Sequence, residues 1–219
     1  MAEPKHSTEV DFFTKAEHFF EQNKKAISIG GSAVLVIALG AFAFFGFYLP
    51  GKEKDAQEEM FRAQQYFEQD SFRLALNGDG NYDGFLSIID DYGFTKAANL
   101  SNYYAGVSYL RMGEYDKAIT HLKKFSSKGE PVLCAMSKGA LGDAYSEKND
   151  MDEAISYYKK AADEMENELV TPYYLFKAGL ALKVQGKKDE ALKLFQQIKN
   201  EYPESTEGRE IDKYIAMVN

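Results

Sequence analysis

The feature that most constrains the fold is an uninterrupted apolar run over residues 27–49. These 23 residues carry no charge, and as a helix they would reach roughly 34 Å at 1.5 Å per residue. The hydrocarbon core of a bilayer is about 30 Å thick, so the run predicts a membrane-spanning helix. Lys24 and Lys25 precede the run and Lys52 and Lys54 follow it, so its flanking charges do not decide its orientation.

Two other interpretations of the run stay open. The sequence Ala41-Phe42-Ala43 fits the small-residue pattern of a signal-peptide cleavage site. Apolar residues continue past it to Leu49, and the preceding leader carries many acids, so both features favour a retained helix over cleavage. A core helix of a soluble domain would also be apolar.

The segment before the run, residues 1–26, predicts an arm that contains an amphipathic helix. Its apolar side chains recur with helical spacing on one face: Phe12, Phe13, Ala16, Phe19 and Phe20. Such a helix either lies on the bilayer surface or packs on a partner, and the sequence does not separate these two roles.

The segment after the run, residues 50–219, is long enough to bury a core without metals or disulfides. The single cysteine, Cys134, excludes an internal disulfide. Residues 1–50 carry four basic and five acidic side chains, so −7 of the formal net charge of −8 falls on residues 51–219. Nucleic-acid binding needs clustered basic side chains, and an acidic domain therefore disfavours it.

One pattern occurs three times between residues 99 and 203. Its reference glycines, Gly106, Gly142 and Gly179, lie 36 and 37 residues apart. Small residues at these positions predict close crossing of two helices, and so do the alanines twelve residues later: Ala118, Ala154 and Ala191. Between the helices, the pattern predicts turn residues with positive φ: Gly113, Asn149 and Gly186. Large residues are expected to fill the space between successive hairpins: Tyr109, Tyr145 and Leu182.

This pattern resembles the tetratricopeptide repeat, although the aromatic of the family's first helix is replaced by Asn102, Lys138 and Leu175. The resemblance implies an all-α fold in which a single N-terminal transmembrane helix is followed by a tetratricopeptide-repeat α-solenoid. Three clear repeats cover residues 99–203. We expect a degenerate N-terminal repeat before them, with a first helix over residues 54–76. A C-terminal capping helix is expected to begin after Ser205.

The whole layout also resembles the YfgM-like family of translocon-associated proteins, through the stretch Phe19 to Ala26 before the span. This resemblance implies a cytoplasmic arm over residues 1–26, a transmembrane helix over residues 27–49 in a bacterial inner membrane, and a periplasmic repeat domain over residues 50–219. It implies protein partners, among them SecYEG and periplasmic chaperones or client chains.

The sequence shows no motif of an enzyme or a cofactor site. His121 is expected at the surface, and Cys134 is expected as buried filler in a first helix. One stretch fits the ligand order of an EF-hand calcium loop, with candidate ligands Asp79, Asn81, Asp83 and Asp90. The alternative is an ordinary turn between two helices, where Asp, Asn and Gly are also common.

The resemblance to tetratricopeptide arrays implies a partner-binding groove on the first helices of the repeats. Its twelve candidate residues are Leu100, Tyr103, Val107, Leu110, Arg111, Met136, Asp143, Glu147, Tyr173, Phe176, Leu180 and Lys183. Each of them is alternatively part of the core between repeats. The Lys and Asn residues of the carboxylate clamp, found in some chaperone adaptors, are missing from the corresponding positions.

Three functions follow from these features. The first is a membrane-anchored protein-interaction module that assists protein export or periplasmic folding near the Sec translocon without catalysis. The second is an adaptor that scaffolds another complex with its repeats in the cytosol. The third is a calcium-tuned binding module.

Overall fold

The computed structural model describes residues 7–127 and 129–218, and within these ranges the chain forms helices and turns but no strand. The side chains of residues 7–13 and of Ala16 are outside this description. The expected apolar face at Phe12, Phe13 and Ala16 therefore lies outside the described residues, as do residues 1–6 of the arm. The chain divides into two compact units, Met1–Gly51 and Lys52–Asn219.

The N-terminal unit contains the apolar run. Its helices are α1 (Ser7–Gln22) and α2 (Lys24–Ala43), followed by a π-helical turn over Phe44–Tyr48. Within the described residues, one helical stretch, Lys24–Glu68, is long and apolar enough to cross a membrane by length and composition, with a mean hydropathy of 2.2 in its most apolar window. Neither α2 nor the π-helical turn buries a side chain, which argues against a core helix of a soluble domain.

Helix α3 (Leu49–Glu68) begins at the end of the apolar run. The described part of the second unit then continues through nine further helices: α4 (Phe72–Asn77), α5 (Phe85–Asp91), α6 (Lys96–Arg111), α7 (Tyr115–Lys124), α8 (Pro131–Glu147), α9 (Met151–Ala162), α10 (Val170–Val184), α11 (Lys188–Glu201) and α12 (Thr206–Val218). From α4 to α12, each helix packs against the next one along the chain. Helix α4 also contacts α6. The first helices of successive hairpins also contact each other, because α8 contacts both α6 and α10. Helix α10 in turn contacts α12.

The reference glycines lie where the two helices of a hairpin cross. A Cβ atom on Gly106 would come within 2.6 Å of the Leu122 side chain, and one on Gly142 within 2.5 Å of the Tyr158 ring. A Cβ atom on Gly179 would meet Phe195 in the same way. The three alanines predicted at the crossings are fully buried: Ala118, Ala154 and Ala191. The prediction that small residues let these helices approach closely is confirmed.

The turns between the hairpin helices also follow the prediction. Gly113 and Gly186 both have φ 76°, and Asn149 has φ 60°. A left-handed conformation is easy for glycine and tolerable for asparagine, which explains why these residue types stand at this position. The large residues predicted between the hairpins are packed as well, with Leu182 fully buried and Tyr109 nearly so.

The N-terminal and C-terminal parts of the array differ in how well the sequence predicted them. The single helix expected over residues 54–76 is two helices, because the chain turns between Glu68 and Phe72, where Asp70 has φ 55°. At the other end, the Ser205 hydroxyl accepts a hydrogen bond from the Gly208 backbone N–H at 2.9 Å, which caps α12 as expected.

Candidate functional site

A cavity of about 650 Å³ lies on helices α6, α8 and α10 of the second unit. We call it the tyrosine cavity, because five tyrosines stand among its lining residues: Tyr103, Tyr115, Tyr158, Tyr173 and Tyr174. The first helices of three successive hairpins supply most of its wall, since they occupy neighbouring places in the packing order. Mixed polar and aromatic walls of this size suit a segment of another polypeptide.

The structure brings eight of the twelve predicted groove residues together on this cavity. They are Tyr103, Val107, Leu110, Arg111, Met136, Asp143, Glu147 and Tyr173. Leu100 lines a different cavity of about 410 Å³, together with Phe94 and Phe125. Partner binding in the tyrosine cavity stays a prediction. Two thirds of the predicted groove residues line this cavity.

The remaining three predicted groove residues contact the end of the chain instead. The ring of Phe176 packs edge-on against Tyr214, with centroids 4.6 Å apart. Leu180 is partly buried against the same core. The Nζ atom of Lys183 lies 3.4 Å from the Sδ atom of Met217. Helix α12 packs on α10 and covers this part of the predicted groove, so these positions do not belong to the open cavity.

The cavity also contains residues that the groove prediction missed. They are Tyr115, Gly139, Ala140, Ser146, Tyr158, Tyr174 and Lys177. Gly139 carried a signal in the sequence, because it stands at the repeat position that holds Tyr103 in one copy and Phe176 in the next. Tyr174 and Lys177 gave no such signal, since their place depends on how one hairpin rests on the next.

A polar network joins two hairpins at the floor of the cavity. The Oδ1 atom of Asp143 on α8 accepts hydrogen bonds from the Tyr158 hydroxyl and from the Lys177 Nζ atom, both at 2.7 Å. Asp143 and Lys177 are partly buried, with 35 % and 25 % of their side chains exposed. The Lys177 ammonium also lies 5.0 Å from the centroid of the Tyr173 ring, within cation–π range. The network therefore holds α8 and α10 together across the cavity.

Two groups of this network, Lys177 and Tyr158, keep their protons at neutral pH. Burial is the largest single influence on the pKa of Lys177 and would lower it, but the hydrogen bonds and charges of Asp143 and Tyr173 together outweigh burial, so the pKa is raised. Burial, reinforced by the neighbouring Asp143 charge and hydrogen bond, also raises the pKa of Tyr158. The ammonium and the phenol thus keep their protons well into the alkaline range.

The rim of the cavity carries one charge of each sign. The Tyr115 hydroxyl donates to the Oε2 atom of Glu147 at 3.1 Å, and this hydrogen bond raises the pKa of Tyr115. Glu147 makes no ion pair within the described residues, and Arg111 in the last turn of α6 makes none there either. Both side chains are exposed and available to a partner.

The stretch with the order of a calcium loop begins as a turn between α4 and α5 and continues into α5, which contains Asp90. Oδ1 of Asp79 accepts from the backbone N–H groups of Asn81 and Tyr82, at 2.8 and 2.9 Å. Oδ2 of Asp79 accepts from the Tyr66 hydroxyl at 2.7 Å, and this bond is the main reason why the pKa of Asp79 is lowered. Protein donors thus take both oxygens of the first candidate ligand. In the described part of the chain, no group of three His, Cys, Asp or Glu side chains is placed to hold a metal ion.

Two further expectations need correction. His121 is not a surface residue: it is half-buried, its Nδ1 atom lies 3.1 Å from Oδ1 of Asn102, and its ring stacks on Tyr109. Burial lowers its pKa. Cys134 is only partly buried, because it lies near the exposed first turn of α8.

No curated protein matches the chain. One family model matches residues 61–211, which is more than two thirds of the chain and includes every residue of the tyrosine cavity. Its description is T7SS, ESX-1 secretion system protein EccA1, N-terminal domain. The chain therefore belongs to the family of the EccA1 N-terminal domain.

Proposed function

We propose that this protein is a membrane-anchored protein-interaction module of a secretion pathway, and that its partner binds in the tyrosine cavity without a chemical reaction. The observation that carries the proposal is the cavity itself, built from equivalent helices of three hairpins and lined by eight of the residues predicted for a groove. Membership in a family named after a secretion-system protein supports the link to export.

The repeat architecture supports the same role. The spacing of the small crossing residues and the turns with positive φ agree with a tetratricopeptide α-solenoid, which presents the first helices of its hairpins to ligands. The apolar run over residues 27–49 would anchor this domain at a bilayer.

The proposed place of action is a bacterial inner membrane, with the repeats in the periplasm near a translocon such as SecYEG. This part rests on the resemblance to the YfgM-like family. The second candidate function is an adaptor with cytosolic repeats, and it stays open because the lysines on the two sides of the span balance each other and do not decide its orientation. Protease treatment of spheroplasts separates the two, because only a periplasmic repeat domain is digested from outside.

A photo-cross-linking experiment tests the binding role. A photoreactive residue replaces Met136, which is 43 % exposed on the cavity wall of α8. The matched control replaces Val132, which lies one turn earlier on α8 at 46 % exposure and outside the cavity lining. We expect cross-links to a defined partner from position 136 and far fewer from position 132 in intact membranes. Equal yields at the two positions would contradict the assignment of the cavity.

A further inference from the structure

The loop between α5 and α6 presents a large apolar side chain to solvent. Phe94 in this loop is 84 % exposed, which is more than Phe47 in the apolar run at 73 %. It lines the cavity of about 410 Å³ together with three further apolar residues, and we call these four residues the phenylalanine patch: Phe94, Leu100, Phe125 and Leu133. Exposed apolar surface of this kind marks a site that contacts a partner protein or a membrane.

Helix α3 holds this loop through the side chain of Glu53. Its carboxylate accepts hydrogen bonds from the first two backbone N–H groups of α6, from Lys96 to Oε2 at 2.6 Å and from Ala97 to Oε1 at 3.2 Å. A carboxylate at this place is also favoured by the dipole of α6. The Nζ atom of Lys52 lies 5.3 Å from the centroid of the Tyr92 ring, within cation–π range. The loop and the start of α3 are therefore fixed to each other.

Hydrogen bonds within the loop fix its backbone as well. The Thr95 hydroxyl donates to the Tyr92 carbonyl at 2.7 Å and accepts from the Ala98 backbone N–H at 3.0 Å, which caps α6. The Thr95 backbone N–H donates to the same carbonyl at 2.8 Å. Phe94 stands between these bonded residues, so the fold itself directs its ring outward.

The start of α3 lies close to the end of the apolar run. Leu49, the last residue of the run, and Glu53 both belong to α3, so they lie about 6 Å apart along its axis at 1.5 Å per residue. The headgroup region of a bilayer is about 5–7 Å deep on each side of the hydrocarbon core. With the run in a bilayer, Glu53 stands at the level of the headgroups, and so does the loop that is bonded to it.

A bilayer surface suits the phenylalanine patch. An aromatic ring at headgroup level can reach the boundary of the acyl chains, which removes its apolar surface from water. The anchor keeps the patch at the membrane, so even one inserted ring forms an effective contact. Charged side chains of both signs, Lys96 and Glu130, are exposed at the same cavity. Apolar contact with lipids therefore needs no particular headgroup charge.

We propose that the phenylalanine patch inserts into the bilayer surface and forms a second membrane contact beside the apolar run. Glu53 sets the position of this contact, because it joins the start of α6 to the end of the anchor. Helix α6 thus starts at the membrane, whichever side of the bilayer the repeats occupy. This inference rests on the proposed function, since it requires the apolar run to lie in a bilayer.

Lipid quenching of a single tryptophan tests the contact, because the chain contains no tryptophan of its own. Full-length Phe94→Trp is reconstituted in liposomes of phosphatidylcholine with or without bromine on the acyl chains. We expect the brominated lipid to quench most of its emission. Val184→Trp is the matched control, since Val184 is 71 % exposed at the end of α10. Equivalent helices of a repeat array run in the same direction, so the end of α10 lies away from the start of α6 and its emission should not change.

A third variant, Phe42→Trp, keeps this inference separate from the proposed function. Phe42 lies in α2 at 67 % exposure, so quenching at this position reports insertion of the apolar run. Quenching at position 42 with none at position 94 would overturn the inference and leave the anchor intact. Absence of quenching at both positions would remove the anchor as well. A blue-shifted but unquenched emission from position 94 would mean that protein covers the patch, and this result would also overturn the inference.

Variants of α3 test the role of Glu53 in the Phe94→Trp protein. Glu53→Ala removes both acceptors of the α6 N–H groups and should lose much of the quenching, while Glu53→Gln keeps one acceptor and should lose less. Glu58→Ala is the control on the same helix, because Glu58 is 69 % exposed and pairs with Lys54 at the surface. Circular dichroism checks that each variant keeps its helices. Equal quenching in Glu53→Ala and Glu58→Ala would show that Glu53 does not position the contact.

Discussion

The second and third hairpins, α8–α9 and α10–α11, have the same helix crossing but differ in the residues around it. Gly142 and Tyr158 cross in the second hairpin, and Gly179 and Phe195 cross at the same spacing in the third. At three positions around the crossing, the second hairpin has the more polar or smaller residue: Gly139 against Phe176, Asp143 against Leu180, and Tyr158 against Phe195.

These differences decide which hairpin is open. In the third hairpin, Phe176 and Phe195 form an aromatic cluster with Tyr214 of α12. In the second, Asp143 and Tyr158 instead form a polar network with Lys177 at the floor of a cavity. A repeat framework therefore fixes how the helices cross, and a few residues outside that framework decide whether an interface is core or site.

The largest effect is expected where the third hairpin is closed. Phe195 is fully buried, so Phe195→Ala should lower the free energy of unfolding by about 3–5 kcal/mol through lost contacts and a residual cavity. Urea unfolding of the full chain in detergent, followed by circular dichroism, measures this change. Val184→Ala on the neighbouring α10 is the control, because Val184 is 71 % exposed and its loss should change stability by less than about 0.5 kcal/mol.

An intermediate effect is expected from conversion of the second hairpin into the third. Asp143→Leu alone leaves the Lys177 ammonium partly buried without its partner and should lower the free energy of unfolding by about 1–3 kcal/mol. The triple variant Asp143→Leu, Tyr158→Phe and Lys177→Met removes the whole network, and it should recover this loss or exceed the stability of the original protein. It should also lose the cross-links from position 136. A triple variant as unstable as the single one would show that the two hairpins are not interchangeable.

The smallest effect concerns alkaline pH. The pKa values of Tyr158 and Lys177 are raised above their ordinary values of 10.0 and 10.5. Their stabilising contribution is therefore complete below about pH 10 and is lost as the pH rises toward the raised values. We expect the free energy of unfolding to fall by about 1 kcal/mol per pH unit above pH 10, and by less in the triple variant. Identical slopes in the two proteins would contradict a role of this network.

The sequence predicted the structural features that recur in every repeat and those that depend on a few neighbouring residues. The turn residues Gly113, Asn149 and Gly186 were identified because positive φ limits the choice of residue at each turn. The crossing glycines were identified because their spacing returns three times. The cap at Ser205 needed only the next three residues.

The sequence predicted large residues between the hairpins, but it did not predict which polar and aromatic side chains meet there. Lys177 reaches Asp143 from 34 residues away, and Tyr174 fits over Gly139 from the next hairpin. Both contacts depend on the rotation of one hairpin against the next, which no single repeat encodes. The same limit explains why Phe176 was assigned to the groove, since only the position of α12 shows that it is covered. His121 was misplaced for a related reason, because its partner Asn102 replaces an aromatic expected from the family.

The ion pair between Asp143 and Lys177 has a mechanical consequence. It spans the joint between two hairpins, so its length measures how far the array is bent at that point. A segment that draws Lys177 away from Asp143 would loosen the joint, and bending of the array would in turn reshape the seat for that segment. If the proposed partner binds in the tyrosine cavity, its occupancy and the curvature of the array are then coupled.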